Sequence, residues 1–295
     1  MRNRNDRAWH TLLLLVVTVA ILMMASRCHD AKKAQAAEKP AVTVLMYHHL
    51  LPRGEAGKYA GNTIVTYVEE FEKQLDFLCE QGYHTVTPAE VEAFFCEHKP
   101  LPKKAVLLTF DDGYLSNAVY AYPRLKERKM KATVFLVTGH LGERGQTFSP
   151  ALVQMLDEDT IKKTADVFTF ACHTEDLHAM QNGAAALCTA DNAARDADLQ
   201  KSLAFLSTVP GASQTVFAYP YGAYNEAVKA SLMQAGFRLA FRASEGGGHR
   251  GLRLFGAAAV SGGLFGEFFA VLSIFRSFGR KRLKNRDGCG ILFSF

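Results

Sequence analysis

A barrel of parallel strands wrapped by helices is the fold class this sequence predicts, on three observations. Strand-like and helix-like patterns alternate from about residue 42 to residue 241, seven of the runs are strand-like, and residues able to do chemistry cluster directly after those runs. Alternation argues for parallel strands joined by crossover helices. Seven strands suit a closed or nearly closed ring better than a small open sheet. In such rings the reactive groups sit on loops beyond the carboxyl ends of the strands.

The first strand-like run, 42–46, leads into His48-His49. Phe71, Leu75 and Leu78 then recur at helical spacing after Thr66. A short run at 85–86 follows, and Val91, Phe94 and Phe95 mark a helix after Pro88. Ala105-Val106-Leu107-Leu108 is continuously apolar and bounded by Pro102 and Gly113, the pattern of a strand covered on both faces. It ends in Thr109-Phe110-Asp111-Asp112-Gly113-Tyr114. Side chains alternate along a strand, so adjacent aspartates reach one site only where the chain turns. Asp-Gly by itself is also ordinary turn chemistry. Runs at 133–137 and 167–171 come next, the second followed by His173 and His178. Leu199, Leu203 and Leu206 make a further helical face. The run at 215–219 precedes Pro220-Tyr221-Gly222; Val228, Leu232 and Ala235 form a helical face closed by Gly236, before a strand-like run at 238–241.

Outside this alternation lie two flanks. Arg2, Arg4 and Arg7 precede an uncharged apolar run at 12–25, the layout of a secretory signal or short signal-anchor. The run is shorter than the about 20 residues of a comfortable span, and cleavage and anchoring both stay open. Ala34-Gln35-Ala36 is a candidate cleavage site, whereas Arg27 before Cys28 does not fit a lipoprotein. Either outcome places the rest of the chain outside the cytoplasm. The division expected is therefore 1–29 signal or anchor, 30–40 polar tether, 41–255 barrel domain and 256–295 an atypical Phe/Gly-rich segment. That last segment carries a basic cluster of Arg276, Arg280, Lys281, Arg282, Lys284 and Arg286.

With 48% hydrophobic and 21% charged residues over 295, the composition is that of a globular protein. The net charge of +5 is modest, and one basic cluster without groove-reading motifs does not make a nucleic-acid binder. The six cysteines (28, 79, 96, 172, 188, 289) show no C-x-x-C spacing, so neither a structural zinc site nor a thioredoxin-like motif is expected. Most are expected as small buried hydrophobes; Cys79 and Cys96 are a pair that an oxidising compartment could join.

His173 and His178 stand five positions apart, roughly 140° around a helix axis and on opposite faces of a strand. Both reach one ion only from a bent loop, which the strand end at Cys172 supplies. Two neutral imidazoles and one carboxylate form a divalent-metal set with positions left for water and substrate. The T-F-D-D-G-Y, H-T-x-x-x-H and F-A-Y-P-Y-G-A-Y-N runs together resemble the first three motifs of the polysaccharide deacetylase family (NodB-like, carbohydrate esterase family 4). The histidine spacing and the opening V-L-M-Y-H-H look most like its exported branch acting on poly-N-acetylglucosamine and cell-wall glycans. The resemblance covers about residues 41 to 245.

It implies a distorted (β/α)7 barrel and hydrolysis of N-acetyl groups on an extracellular amino-sugar polymer to free amine and acetate. Carried over residue by residue, Asp111 is the catalytic base, and Asp112, His173 and His178 hold one divalent ion. Zn²⁺ is expected there, with Co²⁺, Ni²⁺ or Fe²⁺ as alternatives. Tyr221 offers a backbone N–H to the oxyanion, Pro220 and Gly222 shape that loop, and Tyr114 supports it from the Asp-Asp turn. The expected partners are the N-acetylated glycan, the membrane through the N-terminal run, and no nucleic acid.

Two departures from the family pattern stand out. The late Leu-x-His, whose histidine protonates the leaving amine, has no counterpart, because no histidine follows His249. His249 and a histidine of the first strand end, His48 or His49, are the substitutes available. The arginine that orients the catalytic aspartate has three candidates, Arg238, Arg242 and Arg253. From residue 256 the sequence reads as a barrel end that has been lost, leaving the fold incomplete at its C-terminal side, or as a basic segment for an anionic surface. A catalytically impaired, glycan-binding protein of the same fold is the competing function.

Overall fold

The computed structural model describes residues 42–244, Met23 and the strand Ala270–Phe275. The N-terminal apolar run, the tether, His249, Arg253 and the C-terminal basic cluster lie outside the described residues. Met1–Ala41 and Val42–Phe295 are separate units, and the fold below is that of the second. No helix among the described residues is long and apolar enough to cross a membrane.

The strands are β1 (Thr43–Tyr47), β2 (His49–Leu51), β3 (Val65–Tyr67), β4 (His84–Thr85), β5 (Ala105–Phe110), β6 (Ala132–Leu136), β7 (Phe168–Cys172), β8 (Met180–Gln181), β9 (Ala184–Ala185), β10 (Val216–Ala218), β11 (Leu239–Ser244) and β12 (Ala270–Phe275). The helices are α1 (Val68–Glu80), α2 (Pro88–Glu97), α3 (Tyr122–Glu127), α4 (Glu158–Thr164), α5 (Ala186–Thr189), α6 (Asn192–Leu206) and α7 (Glu226–Gln234). Local chemistry sets their starts. Thr87 and Glu90 form a capping box with Pro88 in the first turn of α2, while Asp157, Asp191 and Asn225 cap α4, α6 and α7 through their side chains.

Parallel pairing runs β1-β12-β11-β10-β7-β6-β5, and β5 returns to β1 over Thr43↔Val106 to Tyr47↔Phe110, closing a seven-stranded ring. The (β/α)7 barrel expected is the fold found. It is distorted at one point, where β4 and β6 share an edge of β5, β4 at Ala105 and Val106 and β6 at Thr109 and Phe110. The run at 85–86, counted among the seven, is therefore a wedge. The seventh place belongs to β12, parallel to β11 from Leu239↔Ala270 to Ser244↔Phe275 and meeting β1 at Leu45↔Phe275. Ala270–Phe275, within the 256–295 segment, thus supplies backbone where no final strand was expected, meeting β1 at a single position. Ala270–Phe275 is apolar with two β-branched residues, which suits a strand, but no turn signal sets it off within its Phe/Gly-rich surroundings.

Alternation along the strands divides the core in two. Val44, Met46, Ala105, Leu107, Phe135, Ala171, Val216, Ala218, Leu239 and Phe241 form the cluster inside the ring, and Phe135 of β6 meets Phe241 of β11 across it at 5.6 Å between ring centroids. The intervening residues, such as Leu45, Leu108, Val134, Phe170 and Phe217, pack outward on helix residues including Phe71, Leu75, Leu199 and Leu232. Both faces of the strands are thus covered, as the unbroken apolar run of β5 requires. No disulfide joins the described cysteines at 79, 96, 172 and 188, so the Cys79–Cys96 pair is not formed. Only Cys172 among them is fully buried; Cys79 is exposed.

Candidate active site

The inward parity of three strands continues one step past their ends and delivers three side chains to the barrel mouth. On β1 it runs Val44, Met46 and then His48. On β5 it runs Ala105, Leu107, Thr109 and then Asp111, and on β7 Ala171 and then His173. The Asp111 amide still bonds the Tyr47 carbonyl at 2.9 Å, and the His173 amide bonds the Leu136 carbonyl at 2.9 Å, so both residues extend the ladder. His48 Nε2 lies 4.0 Å from Asp111 Oδ2.

Asp112 has the opposite parity and reaches the mouth by turning. Its φ of 71° and the 83° of Gly113 are left-handed. A Cβ on Gly113 would also stand 2.7 Å from Leu136 Cδ2, so a larger residue there would have to displace that side chain as well as bear the left-handed φ. The turn is fixed from outside by the segment at 154–156, through Leu115 N–H to Gln154 O and Leu156 N–H to Gly113 O, each 2.8 Å.

His173 is buried and its Nδ1 stands 2.8 Å from the Ala218 carbonyl. A carbonyl only accepts, so Nδ1 carries the proton and the lone pair is on Nε2. Burial first, and then the neighbouring His178, lower the His173 pKa to about 3, which leaves the ring neutral. That lone pair looks towards His178 Nε2 at 3.1 Å and Asp112 Oδ1 at 3.6 Å, while His178 Nε2 is 3.1 Å from the same Oδ1. Burial works against ionisation of Asp112, but the close approach of His178, His173 and His48 outweighs it and holds the carboxyl well below the usual range.

Three electron-rich atoms therefore converge, with Oδ1 of Asp112 buried and outside hydrogen-bond geometry. Ligands of a tetrahedral zinc at about 2.0–2.1 Å stand about 3.3 Å apart, and the three separations of 3.1, 3.1 and 3.6 Å match that edge. The Ala218 carbonyl on His173 Nδ1 is the outer contact that metal-bound histidines need. The donor set fits a divalent ion.

Around this centre, Tyr221 adopts φ 57° in the turn after β10 and is half exposed, with its ring 5.0 Å from that of His178. Gly222 and Ala223 spend their amides on the Tyr219 and Pro220 carbonyls, which tightens the turn. Burial and the neighbouring Asp112 carboxylate push the Tyr114 phenol far above the usual range, so it stays protonated. His49 points elsewhere. It is buried with Nδ1 2.7 Å from Ser116 Oγ and stacks on Tyr114 at 4.8 Å. Of the arginines, Arg238 pairs with Glu92 at 2.8 Å, and Arg242 donates to the Tyr224 hydroxyl at 3.1 Å.

One residue of this neighbourhood escapes a sequence reading. Asp198 of α6 is buried and accepts the amides of Glu175, Asp176 and Leu177 at 2.9, 2.7 and 3.0 Å. The clue is in the helix pattern, because the buried face of α6 is Arg195, Asp198, Leu199, Ser202 and Leu206, three of the five polar. Leu203, counted on the apolar face, is only partly buried.

Comparison with known proteins finds similar chains among polysaccharide deacetylases. Residues 98–240 match the family model described as polysaccharide deacetylase. The Bacillus subtilis (strain 168) protein named "Putative polysaccharide deacetylase YxkH" is 30% identical over 236 residues, covering 79% of this chain and 76% of that protein. The poly-beta-1,6-N-acetyl-D-glucosamine N-deacetylase of Staphylococcus aureus (strain N315) is 27% identical over 259 residues, covering 80% and 87%. Among solved structures, IcaB from Ammonifex degensii superposes with a TM-score of 0.59 at 31% identity, over 70% of this chain and 84% of that one.

Proposed function

This chain belongs to the polysaccharide deacetylase family, and on that premise we propose that it is a metal-dependent N-deacetylase of an extracellular poly-N-acetylglucosamine or cell-wall glycan. The observation that carries the proposal is the convergence of Asp112, His173 and His178 beside Asp111 at the mouth of the barrel. The S. aureus relative, named for poly-beta-1,6-N-acetyl-D-glucosamine, supports the choice of polymer. The charged N-terminal flank and apolar run support export.

In this reading Asp112, His173 and His178 hold one divalent ion, Zn²⁺ first among the candidates. When bound, the ion polarises the amide carbonyl and lowers the pKa of water towards neutrality. Asp111 accepts the water's proton as the oxygen adds to the carbonyl carbon. The Tyr221 amide, presented by the left-handed turn between Pro220 and Gly222, donates to the oxyanion. His48 hands a proton to the sugar nitrogen, the C–N bond breaks, and acetate and free amine leave. Tyr114 stays protonated beside the Asp112 carboxylate.

We take His48 as the acid because its Nε2 faces Asp111 Oδ2 at 4.0 Å across the mouth; His249 lies outside the described residues. An acid drawn from the first strand removes the reason for a binding-only protein, which rested on the missing Leu-x-His. The test is acetate release from N-acetylglucosamine oligomers with added Zn²⁺ or Co²⁺. Wild type should release acetate well above Asp111→Asn; equal release by the two would overturn the proposal.

A further inference from the structure

We propose that Asp198 is a positioning residue for the metal centre: its carboxylate clamps the backbone of the loop between His173 and His178 and so sets the distance between the two imidazoles. The inference rests on the metal reading above, but its evidence is separate. His173 is fixed by β7 and by the Ala218 carbonyl, whereas His178 lies beyond the ladder, after a left-handed turn at Thr174 with φ 79°. The barrel ladder does not reach it; on its far side only the short β8–β9 hairpin follows, with Ala186 N–H on the Ala179 carbonyl at 2.8 Å. Three consecutive amides, those of Glu175, Asp176 and Leu177, point instead at one carboxylate from α6, Oδ1 taking the first and Oδ2 the other two. Three converging N–H groups bind an anion as a nest does, and charge-assisted bonds of this kind are stronger than neutral ones.

The far side of the loop is held as well. The Thr174 carbonyl accepts from Thr138 N–H at 3.1 Å and the Glu175 carbonyl from Gly139 N–H at 2.8 Å. The loop is thus gripped between the turn after β6 and the buried face of α6. On the α6 side the three amides depend on one buried carboxylate, whereas on the other side the exposed His140 adds its Nε2 at 2.6 Å from Asp176 Oδ1 to the two backbone bonds. Asp198 touches none of the three donor atoms, so its influence on the centre passes through the loop backbone.

The experiment uses the full chain stripped of metal by chelator. Zn²⁺ affinity is measured by competition with a chromophoric chelator, and amide hydrogen exchange is followed at 175–177. Asp198→Ala should weaken Zn²⁺ binding about 10- to 100-fold, the usual effect of removing an outer contact of a metal site. It should also speed exchange at 175–177 relative to the barrel strands. Asp198→Asn, which keeps one acceptor oxygen, should fall between wild type and alanine on both readouts. Ser202→Ala, equally buried one turn away against Cys172, should move neither. A folded Asp198→Ala or Asp198→Asn protein with wild-type affinity and wild-type exchange overturns the proposal. If alanine does not fold, asparagine is judged by the same two measurements. A wild type that binds no Zn²⁺ would defeat the metal reading, while unchanged exchange at 175–177 would defeat the clamp.

Discussion

Lowering the pH from 7 to 5 should destabilise the metal-free protein through two buried imidazoles. Burial, with His178 adding to it, lowers the His173 pKa to about 3, and burial lowers that of His49 to about 4. Both lie below the ordinary 6.5 of an unfolded chain, so on acidification the unfolded state takes up protons first. The folded state's advantage is complete above about pH 6.5 and is lost as the pH falls towards the two folded values. At pH 5 each imidazole accounts for about 2 kcal/mol, and the pair for about 4 kcal/mol. That is a large share of a domain stability on the order of 5–15 kcal/mol. Asp112 does not contribute in this window, because its ordinary value of 3.8 lies below it. Urea unfolding at the two pH values, read as midpoint and slope, gives the difference directly. His49→Phe keeps a ring stacked on Tyr114 and should lose about half as much stability over the same interval. A wild-type loss under about 1 kcal/mol would refute the neutrality of these two histidines.

Three further outcomes are expected. Gly139→Ala would place a Cβ 2.7 Å from the Glu175 carbonyl, so it should destabilise by about 1–3 kcal/mol in denaturant titration; a wild-type midpoint would show the loop free to yield. His48→Gln should lower kcat by about 10²–10⁴ with Zn²⁺ affinity unchanged, while His249→Gln leaves kcat alone; the reverse pattern would move the acid to His249. Saturating Zn²⁺ at about 100 times its Kd should stabilise wild type by about 2.7 kcal/mol, seen as a raised Tm. The Tm of Asp112→Ala should not respond, and an equal rise in that variant would place the ion elsewhere.

Much of the site was legible because covalent order and strand parity are local. Asp111-Asp112, His173, His178 and Pro220-Tyr221-Gly222 each follow an apolar run, and the structure finds each at a strand end on the barrel mouth. Where the reading failed, a pairing across the chain decided the outcome. The run at 85–86 looks like its neighbours, yet only its partner β5 shows that it is a wedge. Ala270–Phe275 has no local punctuation, and its place follows from the open edges of β11 and β1. Arg238 and Arg242 are equivalent as sequence, but Glu92 claims one and Tyr224 faces the other.

By itself the sequence determined the family's chemistry: which residue types stand after which strands, and by alternation which of them look inward. Only the tertiary structure decided the distances. It brought a lone pair of His173, freed by the Ala218 carbonyl 45 positions away, to within 3.6 Å of Asp112. It set His48 rather than His49 against Asp111 and put the Asp198 carboxylate under three amides of the histidine loop. The physical reason is that alternation and turn preference act over a few residues, whereas a metal-like site needs atoms from several strands at one point, and ring closure alone supplies that.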